Sequence, residues 1–311
     1  MRGMRQVLSG VVVAGAVLGG IWLATALFEP APLTPEAFAA RYVTPLAPPE
    51  APLAVFHLGH SLVGRDMPVM LDQLAGPGHS HASQLGWGAS LMNHATGEVN
   101  GFAEENAHPR FRSVGEAVAS GAYDAVVLTE MVEIRDAIRY HDSGHYLAHW
   151  SKEVRKARPG ARVFLYTTWH ELDDPEGWLE RIDVDQSRYW EGELLRHAMA
   201  QPDAATIHVI PGGLVLAAVA RAAEAGEISG LSRREDLFLP GDGIHFNDIG
   251  AYVMALTHYA VLYGRSPVGL PAALAKADGT PATALSPEAA GRVQVVVWEV
   301  ITRYPPAGVQ G

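Results

Sequence analysis

Short apolar runs that alternate with helical patterns constrain this 311-residue chain more than any other feature. Residues 53–58, 125–128, 162–168 and 206–210 read as strands, and 82–85 as a further short one. Helical patterns lie at 66–74, 113–120, 143–157, 185–199, 212–225, 247–263 and 287–304. In the first of these, Met67, Met70, Leu71 and Leu74 share one side, as a helix packed on a sheet requires. Strands that alternate with helices make βαβ units. The expected fold class is therefore α/β, with helices on both faces of a mostly parallel, five-stranded sheet and right-handed crossovers. In such sheets the functional crevice lies beyond the carboxyl ends of the strands. Ser61 follows the first strand, Glu130 the third, and Trp169 and His170 the fourth, so these separate stretches point to one crevice.

Hydrophobic residues make up 48% of the chain, enough to fill the core of one large domain. The formal net charge of −11 argues against a nucleic-acid surface, which carries a basic stripe. There is no cysteine, so disulfides, thiolate metal sites and cysteine nucleophiles are excluded.

Residues 7–28 form an apolar run preceded by Arg2 and Arg5. About 20 apolar residues span a bilayer, and a signal-peptide core is usually shorter, about 7–15. Residues 1–28 are therefore expected to be a transmembrane anchor oriented N-in, C-out. Ala24-Thr25-Ala26 is an alternative cleavage site that would make the same stretch a signal peptide. Residues 29–52 contain seven prolines and read as a semi-extended linker, with a short helix at 35–42 capped by Thr34. The globular domain is expected at 53–304, followed by a tail at 305–311.

Two motifs carry chemistry. Gly59-His60-Ser61 closes the first strand, which puts a serine on the turn into a helix. Asp242-Gly243-Ile244-His245 precedes the helical stretch at 247–263, and Gly243 lets the imidazole fold back toward Asp242. A serine, a histidine and an aspartate are the parts of an acyl-transfer centre: the histidine deprotonates the serine and the aspartate orients the histidine. Each motif alone is weak. A serine at a helix start is usually an N-cap, and Asp and His three residues apart recur by chance. Their conjunction is the informative feature.

That conjunction, with the layout above, resembles the SGNH (GDSL-like) hydrolase superfamily over residues 53–264. The resemblance implies a flavodoxin-like, three-layer α/β/α fold and a catalytic triad of Ser61, Asp242 and His245. It also implies an oxyanion hole built from the backbone N–H groups of Ser61 and of a glycine within 85–91, where Gly88 is favoured over Gly86. His60 stands where many members have Asp. The third block of the family carries an Asn, but here it reads Val127-Leu128-Thr129-Glu130-Met131, with none. An ionised Glu130 would repel an oxyanion, whereas a protonated one, or the Thr129 hydroxyl, could donate. His60, Glu130, Thr129, His94 and Trp169 are expected to line the site.

His141, His145 and His149 recur at helical spacing and are expected on one solvated face. Trp87 and Trp169 are aromatic faces that suit sugar rings. No cofactor or metal is implied. The resemblance and the N-terminal run together imply a serine esterase acting on an O-acyl, typically O-acetyl, ester of a carbohydrate or small molecule. Its expected place is a bacterial inner membrane, facing the periplasm, or outside the cell if the N-terminal segment is removed. The alternatives are a polysaccharide O-acyltransferase using the same triad, and a catalytically weak carbohydrate-binding or assembly protein on the same scaffold.

Overall fold

The computed structural model describes residues 30–201 and 203–311. The predicted anchor at 1–28 lies outside the described residues. Among the described residues no helix is long and apolar enough to cross a membrane.

Five strands, β1 (Ala54–His60), β2 (Ser80–Gly86), β3 (Ala125–Thr129), β4 (Arg162–Thr167) and β5 (His208–Pro211), form one sheet in the order β2-β1-β3-β4-β5. Every neighbouring pair is parallel. The helices are α1 (Pro35–Ala40), α2 (Asp66–Ala75), α3 (Leu91–Thr96), α4 (Val114–Ser120), α5 (Ile134–Tyr140), α6 (Ser143–Ala157), α7 (Trp178–Asp185), α8 (Gly212–Glu224), α9 (Asp248–Tyr263) and α10 (Pro287–Thr302). A single helical turn, Phe102–Glu105, follows α3.

The strands are buried on both faces, and the period-two alternation of their side chains divides the core. Val55, Val127, Phe164, Tyr166 and Ile210 pack beneath α2, α8, α9 and α10. Phe56, Leu58, Val126, Leu128, Val163, Leu165 and Val209 pack beneath α4, α5 and α6. The chain leaves β1 toward the first layer, through α2, and leaves β3 toward the second, through α5 and α6. Neighbouring strands whose exits diverge in this way leave a crevice beyond their carboxyl ends. Ser61 and Glu130 are the residues that follow those two ends.

Local sequence explains most helix boundaries. Thr34 and Ser286 accept from the N–H groups of Ala37 and Ala289, with proline next in the chain at the first helical position. Asn247 caps α9 through Oδ1, which accepts from the N–H groups of Ile249 and Gly250 at 2.9 and 3.1 Å. α9 is apolar around most of its circumference and is buried accordingly.

The structure differs from the sequence reading in several places. β2 runs over Ser80–Gly86 rather than 82–85, because its polar side chains find partners: His81 on Asp72, and Gln84 on His94 and the Val114 N–H. The helix expected at 185–199 begins at Trp178 and continues as a π-helix over Gln186–Leu195. α3 and α5 fall in stretches without a clear pattern. His141 does not share a helix with His145 and His149. It ends α5, Asp142 adopts the left-handed region at φ 47°, and α6 starts afresh at Ser143. The described part of the proline-rich stretch is fastened to the domain rather than running free. Leu33 N–H donates to Arg196 O, Tyr42 Oη donates to Ile207 O at 2.8 Å, and Leu46 N–H donates to Gly308 O at 2.8 Å. Residues 305–311 are also packed, with Pro306, Ala307 and Val309 buried.

Candidate active site

β1 ends at His60, so Ser61 is the first residue beyond the sheet. Its Oγ lies 2.9 Å from His245 Nε2, and His245 Nδ1 lies 2.7 Å from Asp242 Oδ2. The other Asp242 oxygen accepts from the backbone N–H groups of Ile244 and His245, both at 2.9 Å. The carboxylate therefore closes the loop that carries its own histidine. Burial pushes the Asp242 carboxyl up, but the two N–H groups and the imidazole outweigh it and hold the group below the usual carboxylate range. Asp242 thus accepts the Nδ1 proton, which leaves Nε2 free to take one from Ser61. All three side chains are half-buried, reachable from solvent.

The fold has the three-layer α/β/α layout that the resemblance implies. Its sheet order is flavodoxin-like, and the three residues meet where that topology places a crevice. Solved structures with similar folds include a protein described as a GDSL-like lipase from Parabacteroides merdae, at 14% identity and TM-score 0.41, covering 68% of this chain and 95% of that one. Another is the lipase Lip_vut3 from a goat rumen metagenome, at 16% identity and TM-score 0.34, covering 68% and 99%. No protein-family model matches the chain, and no curated protein matches it.

The two candidate oxyanion glycines have different jobs. A Cβ on Gly86 would sit 2.2 Å from Val99 Cγ1, so that glycine exists for close packing. Gly88 has φ 55° and nothing within 4 Å of a Cβ position, so its backbone conformation, not crowding, calls for glycine. Among the described residues neither the Ser61 nor the Gly88 N–H is engaged in a hydrogen bond. Gly88 leads directly into Ser90, whose side chain and that of Asn93 form the reciprocal cap that starts α3.

The residues expected to line the site prove to be its supports. His60 is fully buried, and desolvation lowers its pKa to about 4, so the ring is neutral. It donates from Nε2 to Glu130 O at 2.8 Å and accepts the Leu62 N–H on Nδ1 at 3.3 Å, tying the ends of β1 and β3 together. His94 is buried and neutral for the same reason, with a pKa near 4. It donates to Gly59 O at 2.8 Å and accepts from Gln84. Each of these buried rings braces a backbone carbonyl, of Glu130 and of Gly59. Thr129 is also fully buried: a Cβ on Gly59 would meet Thr129 Cβ at 2.5 Å, so Gly59 is the residue that admits it. Trp169 is buried, and its Nε1 donates to Ile244 O at 2.8 Å, which makes it a post under the 242–245 loop.

Glu130 lies deeper than a crevice lining. Its side chain is fully buried, and Oε1 accepts from Met131 N–H at 2.8 Å and Leu91 N–H at 3.2 Å. Leu91 is the first residue of α3, so the carboxyl caps the helix that follows Gly88. Desolvation raises its pKa to about 7, against the lowering effect of the two N–H groups and the neighbouring Ser143 hydroxyl. The buried side chain engages the helix start through Oε1.

Sequence reasoning overlooked Glu171, which flanks the same loop. A Cβ on Gly243 would lie 3.0 Å from its Oε2, and the Leu172 N–H donates to Gly243 O at 2.9 Å. Partial burial, Asp242 and Asp173 raise its pKa. Its position just beyond β4 was the available signal. A cavity of about 780 Å³ runs alongside, lined by Glu171, Asp173, Asp242 and Gly243 but by neither Ser61 nor His245.

Proposed function

We propose that the chain is a serine hydrolase that cleaves an O-acyl ester, with Ser61 as nucleophile, His245 as general base and then acid, and Asp242 as its orienting carboxylate. The observation that carries this reading is the unbroken relay from Ser61 Oγ through His245 to Asp242, at 2.9 and 2.7 Å. Both lengths lie within the reach that proton transfer needs. His245 Nε2 takes the hydroxyl proton as Ser61 Oγ bonds to the ester carbon. The carbonyl oxygen gains the displaced electron pair and is held by the N–H groups of Ser61 and Gly88. The tetrahedral centre collapses, the C–O bond to the alcohol breaks, and His245 returns the proton to the departing oxygen. Water, deprotonated by the same imidazole, then attacks the acyl-serine and releases the carboxylic acid and free Ser61.

The substrate class is an O-acetyl ester of a carbohydrate, as the resemblance implies, in the cell envelope to which the apolar run at 7–28 would tether the domain. Ser61→Ala tests the reaction. The variant is expected to melt at the same temperature as the parent chain and to lose ethyl acetate hydrolysis by at least about 10³-fold. Undiminished hydrolysis in that variant would refute the assignment.

A further inference from the structure

Trp87 is the large aromatic residue closest in the chain to Gly88, and it is 55% exposed. The strand register fixes where it stands. His60 pairs with Gly86 across β1 and β2, so the next residues, Ser61 and Trp87, leave the sheet from neighbouring strand ends. The indole is also held in one plane. Its Nε1 donates to Glu105 Oε1 at 3.0 Å, and its backbone N–H donates to Asn100 O at 2.8 Å. One side of the ring lies over Gly101, where a Cβ would come within 2.2 Å of Cδ2 and 2.4 Å of Cε2 and Cγ. Gly101 sits at φ 63°, so glycine is required there both for the turn and for the ring above it.

The turn that supports the indole is itself pinned from the nucleophile's side. Arg65, four residues after Ser61, donates to the carbonyls of Glu104 and Glu105. An exposed indole that is locked in place has already lost the conformational freedom that binding would otherwise remove. A large aromatic face left uncovered beside a nucleophile is the kind of surface that a ligand covers.

We propose that Trp87 is a stacking platform on which a neutral pyranose ring of the ester lies while its acyl group reaches Ser61. The flat C–H face of a pyranose matches the free face of the indole. Neutrality follows from the surroundings: two carboxylates, Glu104 and Glu105, outnumber the one guanidinium, Arg65, at this turn, and the chain carries a net charge of −11, so an acidic sugar would be repelled. The platform rests on the hydrolase reading for the bond that is cut, but not for the binding itself.

The test separates the two. In Ser61→Ala full-length protein, tryptophan fluorescence is titrated with tetrasaccharides of glucose, xylose and N-acetylglucosamine, and the same is done after adding Trp87→Ala or Trp87→Phe. At least one sugar is expected to bind, with affinity falling tenfold or more in the Ala variant and recovering in part in the Phe variant; calorimetry reads the affinity where the fluorophore is gone. In the chain with Ser61 intact, the ratio of kcat/KM for the partly acetylated tetrasaccharide to that for ethyl acetate is expected to fall at least tenfold in Trp87→Ala. Trp87-dependent sugar binding without any ester turnover would leave the platform standing and remove the hydrolase. Ethyl acetate turnover with no Trp87-dependent binding, or with an unchanged ratio, would remove the platform and leave the hydrolase.

Discussion

Asp242 divides its two oxygens between two tasks. Oδ2 holds the His245 ring, and Oδ1 holds the backbone that delivers the ring. Asp242→Asn separates them. The amide oxygen can still accept from Ile244 and His245, so the loop is expected to keep its shape. The amide nitrogen then faces Nδ1 as a donor, and the ring must present Nδ1 as an acceptor and carry its proton on Nε2. A ring protonated on Nε2 cannot take the serine proton, so kcat is expected to fall by roughly 10⁴ with little change in thermal midpoint. A loss under tenfold would mean that the carboxylate does not set the tautomer. His60 and His94 put the same side chain to another use: burial keeps both neutral, and each ring donates to a backbone carbonyl and accepts on its other nitrogen, from the Leu62 N–H and the Gln84 amide respectively.

At the scale of elements, the site is the meeting of the β1 exit with the 242–245 loop that precedes α9. The sequence shows this wherever pattern and chemistry coincide. The apolar runs of β1, β3, β4 and β5 are legible because both faces of those strands are buried, and Ser61, Asp242 and His245 are legible as residue types in a known order. β2 is only half legible because side chains such as His81 and Gln84 are satisfied by partners that no local pattern discloses. Glu130, His60, His94 and Trp169 can be named from the sequence, yet their orientation cannot be read from it. Whether a side chain faces the crevice or braces it depends on which backbone groups are left unpaired by folding. Glu130 gives a test. Its Oε1 accepts from the first N–H of α3, three residues beyond Gly88. Glu130→Gln retains that acceptor and is expected to keep kcat within about threefold. Glu130→Leu leaves two buried N–H groups unsatisfied, at a cost of about 1–3 kcal/mol each in stability. Its kcat is expected to fall more than its KM rises, since the Gly88 N–H is displaced from the place where charge develops. Hydrogen exchange of residues 88–93 should quicken in the Leu variant alone. Equal behaviour of the two variants would exclude the helix-capping role.

For the whole molecule, the histidines decide how it responds to acid. Burial lowers the pKa of His60, His79, His94, His208 and His258 to about 4, and that of His57 well below the ordinary value. In the unfolded chain each takes up a proton near 6.5. Between pH 6.5 and 4 the unfolded chain therefore binds more protons, so stability is full above 6.5 and is lost as pH falls through this window. Three carboxyls work the other way. Burial raises Glu130 to about 7 and also raises Glu171 and Glu191, so these groups hold extra protons in the folded state and oppose the six histidines in part. Each unopposed proton is worth about 1.4 kcal/mol per pH unit, so the thermal midpoint is expected to drop by more than about 10 °C from pH 7 to pH 5. His57 isolates the cause. It lies on β1, fully buried, 5.7 Å from the His258 ring of α9, and neither of its nitrogens reaches a partner among the described residues. His57→Leu removes a buried polar group that makes no bond and puts a side chain of similar size beside the His258 and His81 rings. It is expected to raise the midpoint at pH 7 and to reduce by one the number of protons taken up on unfolding at pH 5, read from the slope of stability against pH. An unchanged slope would show that His57 is protonated alike in both states, and burial would then not be what makes this protein acid-labile.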